Sequence, residues 1–411
     1  KYQPTIIQKA VESFVEVLNE NDVTLTTLQE MVMMRKIFRV LSKEQRLAVH
    51  QKWTITTDEE TPQARTTEIG VRTSNGPPSR IHNQSLTDDE KLAYYKMYTK
   101  NCISLHRPTP QNICNRESMV CSIQTIINPC AGLSWDRYGF AEDILAFNQA
   151  LYRQYPHVEL VKLGETYEGR PIQALIFTER ATNYNEVMEE LKTKPVIMIE
   201  GGLHAREWLS PAVTTYIANE LAKSGPTFFK HAVWVVLPLL NPDGYQYSRI
   251  KNPIWRKNRK LNPGNPKCPG VDLNRNFDIE WNTTGSSNNP CNRLYHGLKA
   301  GSEEETKAVM SMISMSKNIK FYMSVHSFTQ KIFHPWGALK TPPNNIKEIK
   351  NFANKFASYL LQFGGRKYEI EQPGVNIRTR AGGGSDDYAY SKGIPIVFTL
   401  ELPDKMPVNR R

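Results

Sequence analysis

The sequence has 411 residues, 39% hydrophobic and 23% charged, with a formal net charge of +11. This is ordinary globular composition, long enough for one large core plus a smaller domain, and it contains no internal repeat or low-complexity tract. No apolar run approaches the ~20 residues that a bilayer-spanning helix needs, and Lys and Arg are dispersed rather than clustered, so neither membrane insertion nor a nucleic-acid partner is expected.

The chain opens Lys1-Tyr2-Gln3-Pro4, which does not read as a signal peptide, so an export signal would have been removed or never recorded. Residues 1–57 read as a helical region, with Ile7, Val11, Phe14 and Leu18 on one face and a capping box at Ser42-Lys43-Glu44-Gln45. Residues 58–86 turn to Thr, Ser, Pro, Gly and charge, including Asn75-Gly76-Pro77-Pro78; they form a linker that Arg65, Arg72 and Arg80 open to proteolytic nicking. Residues 87–133 hold a capped helix over 87–98 and then Cys102, Cys114, Cys121 and Cys130.

Cys268 and Cys291 complete a set of six cysteines. An even count in two groups favours disulfides and an oxidising, extracellular setting. Reduced thiols are the alternative, as is a zinc knot in the first group, although its irregular spacings do not suit one. Asn83-Gln84-Ser85 and Asn282-Thr283-Thr284 are glycosylation acceptors in a secreted chain.

From residue 134 the texture changes. A helical run over 140–152 precedes strand-like runs over 158–163 and 172–177, read as a hairpin. A buried strand over 196–200 leads into a helix whose start is marked by Ser210-Pro211 and whose end is marked by Gly225. Further strands are predicted over 233–240, 321–325 and 394–400, with helices over 304–317 and 346–361. Strands alternating with helices indicate an α/β sandwich around a largely parallel sheet.

In such sheets, sites form at the carboxyl ends of strands. Just past the 196–200 strand stand His204 and Glu207, three positions apart, and one helical turn would set both on one face. HxxE alone also fits a helix-face ion pair. Past the 321–325 strand stands His326, and at the end of the last strand stands Glu401; a buried histidine and a sheet-end ion pair are their bland readings. Two histidines and one carboxylate make up a catalytic zinc set, leaving Glu401 free to act as a base.

These residues carry a resemblance. The chain from Ser134 to Asp404 resembles the M14 zinc carboxypeptidases, within them the A/B branch. It does so through His204-Ala205-Arg206-Glu207-Trp208, Asn241-Pro242-Asp243-Gly244-Tyr245, Trp255-Arg256-Lys257, Asp272-Leu273-Asn274-Arg275-Asn276-Phe277, His326-Ser327-Phe328-Thr329-Gln330, Gly383-Gly384-Ser385-Asp386-Asp387 and Phe398-Thr399-Leu400-Glu401-Leu402. The resemblance implies a catalytic domain over 134–411 built on a mixed, largely parallel twisted sheet sandwiched by helices. It implies one zinc ion held by His204, Glu207 and His326, with Asp272 supporting a ligand histidine. Glu401 would be the general base that takes a proton from zinc-bound water and delivers it to the leaving amine; Arg256 would stabilise the oxyanion. Asn274 and Arg275 match the clamp on the substrate's terminal carboxylate, and Arg206 and Arg259 match supporting cations. Cys268 and Cys291 match the family's loop disulfide.

Specificity follows by the same correspondence. Asp386 occupies the pocket-floor position that carries aspartate in B-type enzymes, and Gly337 and Gly374 match small wall positions, so C-terminal Lys or Arg is the expected substrate end. A structural salt bridge for Asp386 is the competing reading. Thr379, flanked by Arg378 and Arg380, replaces the family's mobile tyrosine, and Phe328 replaces a cleft tyrosine. Arg378 would either pair with Asp386 or reach the substrate carboxylate. Family domains continue for about a strand and a long helix beyond the base, whereas this sequence stops at Arg410-Arg411. The N-terminal region lacks the strand pattern of the usual activation domain, leaving it as a helical pro-segment that masks the cleft.

The expectation is a secreted, B-like zinc carboxypeptidase acting on peptide or protein C-termini. Its rivals are an impaired protein that binds such ends without cutting them, and an A-type or relaxed enzyme.

Overall fold

The computed structural model describes residues 133, 138–179, 184–362 and 366–403. The expected helical region, linker and four-cysteine segment of residues 1–132, the Asn83 sequon and the Arg410-Arg411 end lie outside these. Among the described residues no helix is long and apolar enough to cross a membrane.

The elements run α1 (Ala141–Gln154), β1 (Val158–Glu165), β2 (Pro171–Phe177), α2 (Tyr184–Thr193), β3 (Val196–Gly201), α3 (Leu209–Ala222), β4 (Val233–Leu237), α4 (Pro242–Ile250), α5 (Glu304–Met315), β5 (Ile319–Ser327), β6 (Lys331–Phe333), α6 (Ile346–Gln362), β7 (Glu369–Glu371), α7 (Ser385–Ser391) and β8 (Ile396–Leu402). The eight strands form one sheet in the order β1-β2-β4-β3-β5-β8-β6-β7. Pairs β4/β3, β3/β5, β5/β8 and β6/β7 are parallel; β1/β2, β2/β4 and β8/β6 are antiparallel. The sheet is therefore mixed and mostly parallel, as the alternation of strands and helices predicts.

Strand periodicity builds two cores. Ile197 and Ile199 of β3, Phe321, Met323 and Val325 of β5, and Phe398 and Leu400 of β8 face one layer, packed by α3 and α6. Val196 and Met198, Tyr322 and Val397 face the other, packed by α2 and α5. Both faces are buried, hence the near-continuous apolar runs of these central strands. On α6, Ile349, Phe352, Ala353, Phe356 and Leu360 recur at helical spacing and are the residues buried. The predicted 140–152 helix and 158–177 hairpin are present as α1 and β1/β2. The three-residue β6 and β7 and the helices α2, α4 and α7 escape sequence reading.

Candidate active site

At the carboxyl end of β3 the backbone must bend sharply beneath α3. A Cβ on Gly201 would stand 2.6 Å from Thr214 Oγ1, and Gly202 adopts φ +69° with its N–H donating to Ser210 Oγ. The chain then enters a turn closed by Glu207 N–H donating to the His204 carbonyl at 3.2 Å, and α3 begins only at Leu209. His204 and Glu207 thus lie on a tight turn before the helix, not on the helix the spacing suggests, because Gly201-Gly202 redirects the backbone first. The turn gives the same convergence. Ala205 N–H donates to the Arg256 carbonyl, and Asn241 Nδ2 donates to the carbonyls of Leu203 and Lys257, tying this turn to the Arg256 segment.

His326 lies inside β5 rather than past it, near its carboxyl end. His204 Nδ1 is 2.8 Å from Glu207 Oε1, His326 Nδ1 is 2.8 Å from Glu207 Oε2, and the two Nδ1 atoms are 3.0 Å apart. All three residues are buried, and their donor atoms lie within 4.8 Å of one another. The outer nitrogens are committed elsewhere: His204 Nε2 donates to Asp272 Oδ1 at 3.2 Å, and His326 Nε2 lies 2.9 Å from Ser324 Oγ. Two imidazole nitrogens and a carboxylate facing one point, with each far nitrogen held, fit a catalytic zinc. Burial opposes charge on Glu207, but His204 and His326 hold its carboxyl well below the usual range. Burial likewise opposes charge on His326, which Glu207 nevertheless lifts to about 9.

Around this cluster, Arg256 Nε donates to Asp272 Oδ2 at 2.8 Å and its Nη1 stands 3.3 Å from His204 Nδ1. Arg275 Nε donates to the Gly285 carbonyl and its Nη1 to the Asn274 carbonyl, while Asn274 Oδ1 accepts from Ser385 N–H. Arg206 keeps a buried Nε without a hydrogen-bond partner among the described residues. Arg259 instead stacks on Tyr247 and Trp255, with its guanidinium carbon 3.7 Å and 4.6 Å from the ring centroids. Glu401 is the register partner of His326 across β8/β5; burial and then Glu207 push its carboxyl up to about 7, with His326 and Arg256 opposing. Its Oε2 is buried and has no hydrogen-bond partner among the described residues.

The second group of predicted residues gathers around α7. Asp386, 8% exposed, accepts from Thr399 Oγ1 at 2.9 Å and from Asp387 N–H, and makes no ion pair among the described residues. Arg378 is exposed, and Arg380 Nε donates to the Gly374 carbonyl, so neither arginine neutralises Asp386. Gly337 N–H donates to Asp387, whose carboxyl burial and the adjacent Asp386 push up to about 8. Gly374 is small because a Cβ there would stand 1.9 Å from the Leu339 carbonyl oxygen. Thr379 Oγ1 donates to the Pro373 and Asn376 carbonyls within its own loop. Cys268 and Cys291 are disulfide-bonded, with Cα atoms 4.8 Å apart.

Four polar residues at the site escape sequence reading: Glu200, Ser324, Ser385 and Thr399. A signal was present for Glu200, the lone charged residue in the otherwise apolar strand β3; Ser324 shares β5 with Lys320, His326 and Ser327, and Thr399 shares β8 with Glu401.

The sequence model of the zinc carboxypeptidase family matches residues 144–408. This chain belongs to the zinc carboxypeptidases. Membership places it among the exopeptidase hydrolases, in the branch that the motifs indicate. It is 33% identical over 278 residues to carboxypeptidase B of Astacus astacus, covering 66% of this chain and 88% of that protein. It is 36% identical over 253 residues to carboxypeptidase A4 of Mus musculus, covering 60% of this chain and 58% of that one. Among solved structures, carboxypeptidase A of Helicoverpa armigera superposes with a TM-score of 0.60 at 27% identity, covering 77% of this chain and 72% of that chain. Relatives of both A and B designation thus stand at similar distance.

Proposed function

We propose that this zinc carboxypeptidase removes C-terminal Lys or Arg from peptides or proteins in an extracellular setting, using one zinc ion held by His204, Glu207 and His326. The observation that carries the reading is the convergence of these three side chains beside Glu401. The zinc, when bound, supplies Lewis acidity, which lowers the pKa of the attacking water and polarises the peptide carbonyl.

The residues divide the remaining work. Glu401, poised near neutrality by burial, accepts the proton of the attacking water and returns it to the leaving amine. Arg256, held through Nε by Asp272, offers its guanidinium to the developing oxyanion. Asn274, Arg275 and Arg206 bind the terminal carboxylate, which restricts cutting to the chain end. By the family correspondence Asp386 would be the floor and Gly337 and Gly374 the walls of the side-chain pocket, and a carboxylate with no ion pair among the described residues favours a basic side chain. The Cys268–Cys291 disulfide supports the extracellular setting.

Thr379 favours a second reading, binding without turnover, because its hydroxyl is spent on the loop backbone and this position carries no phenol. The test is release of residues from peptides ending in Arg, Leu or Phe, with and without a chelator. Chelator-sensitive release, fastest from Arg, supports the proposal; binding of these peptides with no release supports the second reading. The autoinhibitory role expected of the N-terminal region is tested by cutting the 58–86 linker and following activity, which should rise.

A further inference from the structure

Alternate residues of β5 share a face, so Tyr322, Ser324 and His326 point into the same layer. On the adjacent parallel strand β3, Glu200 is the register partner of Ser324. A carboxyl, a hydroxyl and an imidazole are thereby set in a row. Ser324 Oγ stands 2.9 Å from His326 Nε2 and donates to Glu200 Oε1. The Tyr322 and Ser385 hydroxyls donate to the same oxygen, each at 3.2 Å, whereas Glu200 Oε2 has no hydrogen-bond partner among the described residues. Glu200 and Ser324 are wholly buried.

The direction of this chain is forced. His326 turns Nδ1 toward Glu207 and His204, so a metal there requires the Nδ1 lone pair and leaves the ring proton on Nε2. That proton goes to Ser324 Oγ, and the single serine proton goes on to Glu200 Oε1. Ionisation of Glu200 does not reverse the order, because a proton on this carboxyl belongs on the unpartnered Oε2 and leaves Oε1 accepting. His204 has its own buried carboxylate, Asp272, in direct contact. His326 has one too, a serine further away.

We infer that Glu200, acting through Ser324, is the positioning residue that fixes His326 with its Nδ1 free for the metal; this rests on the zinc reading above. The oxygen acceptor does this, not the charge, so Glu200→Gln keeps the function and Ser324→Ala loses it. Ser385 ties the same acceptor to the start of α7, next to Asp386.

The experiment is zinc affinity of the metal-free protein, measured by competition with a chelating dye, with thermal melting of the metal-free forms as the fold control. Ser324→Ala should bind zinc about 10–100-fold more weakly while melting within a few degrees of the unaltered protein. Ser324→Thr, which restores the hydroxyl, should recover most of the loss, and Glu200→Gln should stay within about threefold of the unaltered protein. Ser324→Ala binding as tightly as the unaltered protein would overturn the inference, as would a Glu200→Gln loss equal to that of Ser324→Ala. Failure of the unaltered protein to take up zinc would instead sink the metal reading. Should Ser324→Ala not fold, the long-range proton–nitrogen NMR spectrum of the unaltered zinc-loaded protein decides. His326 protonated at Nε2 and slow to exchange supports the inference; a bare or freely exchanging Nε2 contradicts it.

Discussion

His326 and Glu401 face each other as register partners on the parallel strands β5 and β8. The strand pairing alone delivers a candidate base to the rim of the His204–Glu207–His326 cluster, without help from a mobile loop. Glu401→Gln keeps the shape and removes the proton acceptor. It should lower kcat by about 10²–10⁴-fold with little change in KM or zinc affinity, as steady-state kinetics and dye competition would show. Near-normal kcat in this variant would remove Glu401 from the chemistry.

Asp272 serves two donors at once, His204 through one oxygen and Arg256 through the other. Asp272→Ala should loosen zinc about 10–100-fold and also slow the remaining zinc-saturated enzyme, because Arg256 loses its anchor. Titrating activity back with excess zinc separates the two effects. Full recovery would mean that Arg256 does not depend on Asp272.

The proposed pocket floor offers a sharper contrast. Asp386 is hydrogen-bonded to Thr399 and pairs with no arginine among the described residues. Asp386→Ala should therefore cut the Arg-over-Leu preference by on the order of 10²-fold, consistent with ~2–3 kcal/mol for a desolvated charge pair. Arg378→Ala should leave that preference unchanged. A marked gain in Arg preference from Arg378→Ala would show that the two groups pair after all.

Much of this was legible because strand ends in α/β sheets collect chemistry. His204, Glu207, His326 and Glu401 could be read from where apolar runs stop, and the motifs supplied Arg256, Asn274 and Arg275. The local conformation of His204-Ala205-Arg206-Glu207 could not, since an i, i+3 spacing suits a helix and a closed turn equally, and Gly201-Gly202 decides between them. Nor could the fate of Arg378, which depends on how an exposed loop folds back through Thr379 on its own carbonyls. Glu200 was hidden for another reason. An acid closing an apolar run looks like a strand boundary until the register sets it beside Ser324.

One prediction concerns stability alone. Glu305 is buried and accepts from Asn258 Nδ2; burial, with Glu303 adding, pushes its carboxyl up from the ordinary 4.5 to about 8. The unfolded chain releases this proton near pH 4.5 while the folded protein keeps it to about 8, so stability falls as pH rises through that window. Glu305→Gln removes the titration and retains an acceptor for Asn258. Its melting temperature should fall less steeply between pH 5 and 8, a relative gain on the order of 4 kcal/mol at pH 8. Parallel pH profiles for the two proteins would contradict the assignment.

The central claim is that the His204–Glu207–His326 cluster serves the zinc-dependent release of a basic C-terminal residue. Its most direct test is a comparison of two peptides that differ only in ending with Arg or with Leu, incubated with zinc-loaded protein and with chelator-stripped protein. The account predicts release of free Arg well ahead of Leu, abolished by stripping and restored by zinc. Release that survives stripping, or Leu released faster than Arg, would contradict it.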